Sequence, residues 1–286
     1  MKICISAESA IDLSKELLNK YDIHTTPFSI LLGDRLLKDG EFDVEEIFDY
    51  VNNTKILPKT SAVNEFQFNE HFESLLKTYD AIIHISMSAS MSCAYQNAVA
   101  ASKNFNNVYV IDSKNLSTGI GLLAIQASEM ASAGKSIDEI LEWLNNNISK
   151  VQTSLIVNKL DFLRKGGRCS GLVCFGANLL QIHPQLILKD GKLHPAKKYR
   201  GNYGVCIANY CKDTLAEFNN YNKKRVFLTY TRISNDNLQN VKQILKDAGF
   251  EEILEAKTGA TIASHAGPDA MGILYLTIWH NLKINL

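Results

Sequence analysis

Net charge is the first thing this sequence lacks. Its 286 residues carry 30 lysines and arginines against 30 aspartates and glutamates, a formal charge of zero. No global field draws such a chain to nucleic acid or to an anionic membrane, although a local patch is still allowed. Weak colloidal repulsion makes a dimer unsurprising. The opening residues 1–14 have neither an apolar signal-type stretch nor a small-residue cleavage site, so export is not expected and the cytoplasm is. The longest uninterrupted apolar run, near 272–279, is far too short to span a bilayer. Cysteines at 4, 93, 169, 174, 206 and 211 include no C-x-x-C pair, and the two C-x4-C spacings are not those of a zinc knuckle. Several sit in apolar contexts (ICI, LVCF, GVCI), as buried free thiols do, so no metal site and a reducing compartment are expected. Repeats, low-complexity tracts and long linkers are also missing.

What is present is an ordinary globular composition, 46% hydrophobic and 21% charged, long enough for two domains of unequal size. Up to about residue 150, strand and helix signals alternate. KICIS, HTTPFSILL, AIIHIS and VYVID read as strands, the last two as the continuous apolar runs of a parallel sheet covered on both faces. Asp12 is expected to cap a helix bearing Leu13, Leu17, Leu18 and Tyr21, and Asp43 with Glu46 to open another. Asn64 precedes a Phe68, Phe72, Leu75, Leu76, Tyr79 stripe, and Ser136 with Glu139 forms a second capping box. Beyond residue 150 the pattern changes. VQTSLIV is a strand, residues 185–199 a hairpin about Asp190-Gly191, 203–220 a helix, RVFLTYT a strand, 236–248 a helix and GILYLTI a final strand. The expected architecture is an α/β domain over 1–157, three-layered with a parallel sheet, followed by a smaller α+β domain with a mixed sheet over 158–286. The boundary is approximate and interleaving is allowed.

Five segments bear on chemistry. Gly119-Ile-Gly121-Leu-Leu-Ala124 matches G-x-G-x-x-A, but lies well past the end of VYVID, inside the helix, where small residues serve close packing better than nucleotide binding. Ser86, Ser88, Ser90 and Ser92 follow the carboxyl end of a predicted parallel strand, where open α/β sheets bind ligands. Their hydroxyls suit an anion, and they equally suit a helix cap; no G-x-S-x-G elbow surrounds them. Thr60-Ser61 is a second hydroxyl pair before a helix. Residues 161–171, DFLRKGGRCSG, set two glycines between basic residues with Arg168, as an anion-binding turn or a structural loop. His265 stands in a predicted glycine-rich loop before the last strand, whereas His84 reads as core and His183 and His194 as structural.

In order along the chain, these segments resemble the DegV family of bacterial fatty-acid-binding proteins, which includes the acyl-carrying subunits of fatty acid kinases. Glu8-Ser9-Ala-Ile-Asp12-Leu is similar to its D-S-T-A-D-L start, and Thr60-Ser61 to its T-S pair. Met91 to Gln96 resembles L-S-G-T-Y-Q, Val110-Ile-Asp112-Ser113 resembles V-x-D-S, the 161–168 turn resembles L-x-x-L-x-K-G-G-R, and His265-Ala-Gly267-Pro268 matches H-x-G-P. The resemblance implies a carrier of one long-chain fatty acid such as palmitate, with no cofactor and no catalysis of its own. It implies a carboxylate bound by Thr60, Ser61, Ser92, His265 and Arg168, and a separate kinase subunit as partner. Arg200, with Lys197 and Lys198, is a candidate contact for that partner or, transiently, for a membrane surface, and equally a solvated face. A serine hydrolase of acyl substrates using Ser92 and His265 is the alternative. Three departures stand out: no proline follows Ser61 closely, Cys93 and Ala94 replace Gly and Thr after Ser92, and Asp269 replaces Gly after Pro268.

Overall fold

A computed structural model describes residues 1–169 and 181–278. The chain forms two compact units, Met1–Ile148 with Thr258–Ser264, and Ser149–Lys257 with the residues from His265 onward. Ser170, Gly171, Cys174 and Trp279, which the sequence reading used, lie outside the described residues.

The first unit runs β1 (Ile3–Glu8), α1 (Lys15–Lys20), β2 (Ile23–Thr26), β3 (Ser29–Leu32), β4 (Arg35–Lys38), α2 (Glu45–Thr54), β5 (Lys59–Ser61), α3 (Glu65–Leu76), β6 (Ala81–Ser86), α4 (Ala94–Ser102), β7 (Val108–Asp112), α5 (Thr118–Ser132) and α6 (Ile137–Asn147). Strands β2-β1-β6-β7 form a parallel sheet, with Ile5 opposite Ile23 on one side and Ile83 on the other. Side chains alternate between its faces. His84 meets Phe68 and Phe72 of α3, which packs with α4; α5 packs against β1, β2 and β6, and α6 lies against α5. This is the expected three-layer arrangement. In α5 the decoy glycine does what packing requires: a Cβ on Gly121 would lie 2.8 Å from Leu13 Cδ2.

Local signals mark most elements, and the misses have tertiary causes. Capping boxes form at Asn64/Gln67 and Ser136/Glu139. HTTPFSILL does not make one strand: it breaks around Pro27, and β3 joins a separate antiparallel sheet, β4-β3-β5. Asp43 accepts from Glu45 N at 3.0 Å, while Glu46 pairs with Arg35 at 3.0 Å, so no capping box forms there. Asp12 does not cap α1, whose cap is Ser14. It adopts a left-handed conformation (φ 56°), and its buried carboxylate accepts from Ser117 Oγ and, at 2.7 Å, from Gly259 N. Beside it, Asp39 accepts from Ala260 N (2.6 Å), Thr261 N (3.3 Å) and Ser9 Oγ (2.9 Å). These two aspartates are how Thr258–Ser264 joins the first unit.

The second unit runs β8 (Val151–Ile156), α7 (Asp161–Gly166), β9 (Ile182–Lys189), β10 (Lys192–Arg200), α8 (Tyr203–Glu217), β11 (Tyr221–Tyr230), α9 (Asn235–Asp247), β12 (Glu252–Lys257) and β13 (Met271–Thr277). Helix α10 (Ala260–Ala266) starts in the first unit and ends in the second. The mixed sheet has the order β10-β9-β8-β13-β11-β12, parallel at β11-β12 and antiparallel elsewhere. The β9-β10 hairpin turns at Asp190 (φ 50°) and Gly191 (φ 77°), both left-handed as a type I′ turn demands. Because β8 pairs with β13 and β9, the units divide at 148/149, where the sequence reading placed a boundary at 157. Tyr210, Phe250 and Tyr275 anchor the core of this unit.

Replacing Asp39 with alanine leaves buried amides at Ala260 and Thr261 without acceptors. It is expected to cost about 1–3 kcal/mol in chemical denaturation. Amide exchange at those two positions should accelerate; unchanged protection there would contradict the clasp.

Candidate functional site

At the carboxyl edge of the parallel sheet the chain leaves β6 and turns through residues 87–93 into α4. The loop is tied to its surroundings by Ser88 N to Asn115 O (2.9 Å) and Ala89 N to Asp112 Oδ1 (3.2 Å). It is tied to itself by Met91 N and Ser92 N, both donating to Ser88 O. Ser92 is half-buried, and its Oγ accepts from Ala94 N at 3.2 Å. A hydroxyl that accepts from the backbone still has its own hydrogen to donate, so tying the chain just before α4, where Cys93 is the N-cap, is compatible with binding an anion. Cys93 takes φ −80° and ψ 3°, ordinary for a residue with a side chain, so losing the glycine expected there strains nothing. Ala94 is the buried first residue of α4.

Thr60 lies on β5 opposite Ile30, half-buried, and Ser61 is exposed opposite Ser29. One turn into α4, Asn97 Nδ2 donates to Val63 O at 2.8 Å. The segment just past Thr60-Ser61 and the helix that follows Ser92 are thereby joined by a hydrogen bond within the first unit.

The other two predicted ligands belong to the second unit and meet there. His265 is not in a loop: it is the penultimate residue of α10, and the turn follows at Gly267 (φ 76°). A Cβ on Gly166 would stand 2.7 Å from His265 Nδ1, and one on Gly267 2.7 Å from Phe162 Cδ2. Each glycine makes room for the other segment's ring, which is why K-G-G-R and H-A-G-P, far apart in sequence, fit together. Arg168 is exposed and its Nη1 donates to Gly166 O at 2.8 Å. Burial, then the Arg168 charge, pulls the His265 pKa down to about 4, so the ring is neutral at pH 7. Asp269 holds the left-handed φ of 60° usually left to glycine, and its carboxylate lies 3.3 Å from both Arg232 Nε and Asn158 Nδ2.

Arg200 is exposed at the end of β10, Lys198 is exposed, and Lys197 is 3.5 Å from both Asp213 and Glu217 of α8. Among the described residues no histidine hydrogen-bonds Ser92, and no group of His, Cys, Asp and Glu is arranged for a metal. No described helix is long and apolar enough to cross a membrane. A cleft of about 490 Å³ opens at the opposite, amino edge of the sheet; Lys2, Asp22 and Asp80 line it and suit it poorly to an acyl chain.

Sequence reasoning missed a buried polar chain under the Ser92 loop. Glu8, fully buried at the end of β1, accepts from Ser86 Oγ (2.5 Å) and Met87 N (2.9 Å) and lies 3.3 Å from His84 Nε2. His84 Nδ1 is 3.0 Å from Ser6 Oγ, and Ser6 Oγ is 2.7 Å from His71 Nε2 on α3. The signal was legible as four polar residues, Ser6, Glu8, His84 and Ser86, set at alternate positions of two otherwise apolar strands. Ser6, His84 and Glu8 form a Ser–His–acid sequence, but all three are completely buried, with no surface for a substrate.

One unit with a parallel sheet and hydroxyls at its carboxyl edge, and one with a mixed sheet and a Gly-Gly-Arg turn packed on a neutral histidine, define a two-unit α/β protein. The chain belongs to the DegV family: the family profile described as "Uncharacterised protein, DegV family" matches residues 2–277. It is 30% identical, over 96% of this chain and 98% of the other, to a DegV domain-containing protein of Caldanaerobacter subterraneus. It is also 30% identical, over 95% and 96%, to a fatty acid-binding protein of Thermotoga maritima. A solved structure of a DegV family protein from Thermus thermophilus, described for its fatty acid binding, matches with a TM-score of 0.89 at 27% identity, covering 97% of this chain and all of that one.

Histidine NMR tests the second-unit geometry. His265 should stay neutral until the pH approaches 4, and Arg168→Gln should raise its midpoint by removing a nearby positive charge. A midpoint unmoved by that substitution would separate the two residues.

Proposed function

We propose that the protein binds one long-chain fatty acid, with Thr60 and Ser92 donating hydrogen bonds to its carboxylate. Ser61, His265 and Arg168 complete the polar surroundings, and the acyl chain lies in the apolar interior of the first unit. The observation that carries this reading is Ser92: its acceptor capacity is engaged by Ala94 N at the carboxyl edge of the sheet, leaving a donor for an anion. The neutral state of His265 supports it, because a neutral imidazole offers an N–H without a second buried charge. Fatty acid binding by the Thermotoga maritima and Thermus thermophilus relatives points the same way.

The energetics are sufficient. Each buried methylene contributes about 0.8 kcal/mol, so a chain of about fifteen supplies on the order of 12 kcal/mol before ordering costs. The hydroxyl donors offset the desolvation of the head group and fix its direction. In this reading the protein is a cytoplasmic, non-catalytic carrier that needs no cofactor. It presents the carboxylate to a partner fatty acid kinase, with Arg200 at the contact and brief approaches to the membrane surface when the ligand is exchanged.

Lipid extracted from purified protein should contain one long-chain fatty acid per chain by mass spectrometry. No co-purifying fatty acid, together with no binding of added palmitate or oleate, would remove the proposal. The double substitution Thr60→Val, Ser92→Ala should weaken palmitate binding roughly 100-fold, from the loss of two hydrogen bonds to a charged group at about 1.5 kcal/mol each. Unchanged affinity would move the head group elsewhere.

A further inference from the structure

The polar chain under the Ser92 loop has no part in the reading above, although it ends on the loop that reading uses. It runs from half-buried His71 on α3, through Ser6 of β1 and His84 of β6, to the Glu8 carboxylate, which holds the first residues of the loop through Ser86 Oγ and Met87 N. One direction of hydrogen bonding satisfies every member. His71 Nε2–H donates to Ser6, Ser6 O–H donates to His84 Nδ1, and His84 Nε2–H donates to a Glu8 carboxylate.

We propose that His71, Ser6, His84 and Glu8 form a proton path through which the first unit takes up one proton when a fatty-acid carboxylate binds at Ser92. The inference rests on the fatty-acid reading. A second carboxylate arriving at a loop anchored on buried Glu8 meets a like charge in a low-dielectric setting, and paired carboxylates in such settings retain a proton between them.

A solvent proton joins His71 Nδ1, the Nε2 proton of His71 passes to Ser6 Oγ, and the hydroxyl proton of Ser6 passes to His84 Nδ1. His84 becomes an imidazolium against the Glu8 carboxylate; Ser6 now accepts from His84 and donates to His71, which ends neutral in its other tautomer. The same contacts thus support two opposite hydrogen-bond directions, differing by one proton.

The surroundings fit a conduit. Phe68 and Phe72 of α3 close edge-on around His84 and exclude water from it. His24 of β2 is turned to Asp22 and Tyr79, and Asp112 at the end of β7 accepts from Ala89 N and Lys114 N, so each is engaged outside the chain. Burial, the largest cause, pulls the His71 pKa down to about 3, so His71 does not keep a proton at neutral pH. Burial raises the Glu8 pKa, but the hydrogen bonds from His84, Ser86 and Met87 outweigh it and hold Glu8 below the usual carboxylate value, so Glu8 itself is ionised.

The test is titration of delipidated protein with palmitate kept monomeric in cyclodextrin, at pH 7.5, in two buffers of different ionisation enthalpy. Wild type should take up close to one proton per palmitate; His84→Gln and Glu8→Gln should take up close to none. Palmitate binding without uptake, or equal uptake in wild type and both variants (the proton then residing on the ligand), overturns the path but leaves the fatty-acid reading standing. No palmitate binding by wild type overturns both. If a variant fails to fold, nitrogen-15 histidine NMR of wild type decides: palmitate should move His84 to imidazolium shifts, and a His84 that stays neutral in the complex overturns the proposal.

Discussion

The residues following β12 enter the first unit because two buried carboxylates hold their amides. Asp12 binds Gly259 N, and Asp39 binds Ala260 N and Thr261 N. A buried carboxylate is costly without donors, and a helix start has amides to spare; each answers the other's requirement. Burial, with Asp39 adding repulsion, raises the Asp12 pKa well above the ordinary carboxylate range, which Ser117 and Gly259 only partly counter. Glycine at 259 is part of the solution, since a Cβ there would sit 2.8 Å from Asp39 Oδ1. The start of α10 is set by this clasp, and His265 comes in the last turn of the same short helix.

The same chemistry recurs at the carboxyl edge of the parallel sheet. Glu8 ends β1 as Ser86 ends β6, and the carboxylate of one strand secures the loop leaving its neighbour. Polar residues inside apolar strands weaken a core unless they are fully satisfied. Here they are satisfied by one another, and what they fix is the first residue of the loop that carries Ser92. A loop held in place in advance spends less ordering entropy on any ligand it receives.

Much of this was legible in the sequence, and the rest was hidden for physical reasons. Alternating apolar runs and helical stripes gave the order of the main elements, and Asn64, Ser136 and Asp190-Gly191 marked boundaries because caps and tight turns depend on neighbours in sequence. Asp12 misled because its partners, Ser117 and Gly259, are distant in sequence; nothing nearby distinguishes a helix cap from a long-range clasp. The short α10 was unseen because Ala-Thr-Ile-Ala-Ser has little apolar periodicity, and β12 because an edge strand carrying Glu252 and Glu255 lacks a continuous apolar run. At the site, composition and spacing took Ser92 only as far as a cap or an anion donor; its Oγ accepts from Ala94 N just before α4, while the N-cap position itself falls to Cys93. Thr60, Arg168 and His265 stood out through ordered motifs, whose fit rests on what Gly166 and Gly267 leave out.

The proposed function places a fatty-acid carboxylate against Thr60 and Ser92. NMR of the protein loaded with palmitate carrying carbon-13 at its carboxyl carbon tests it most directly. A carboxylate held there gives a single bound carboxyl resonance that shifts when Ser92 is replaced by alanine, and methylene protons next to that carbon close to the Thr60 methyl. A carboxyl resonance indifferent to Ser92, with no proximity to Thr60, would contradict it.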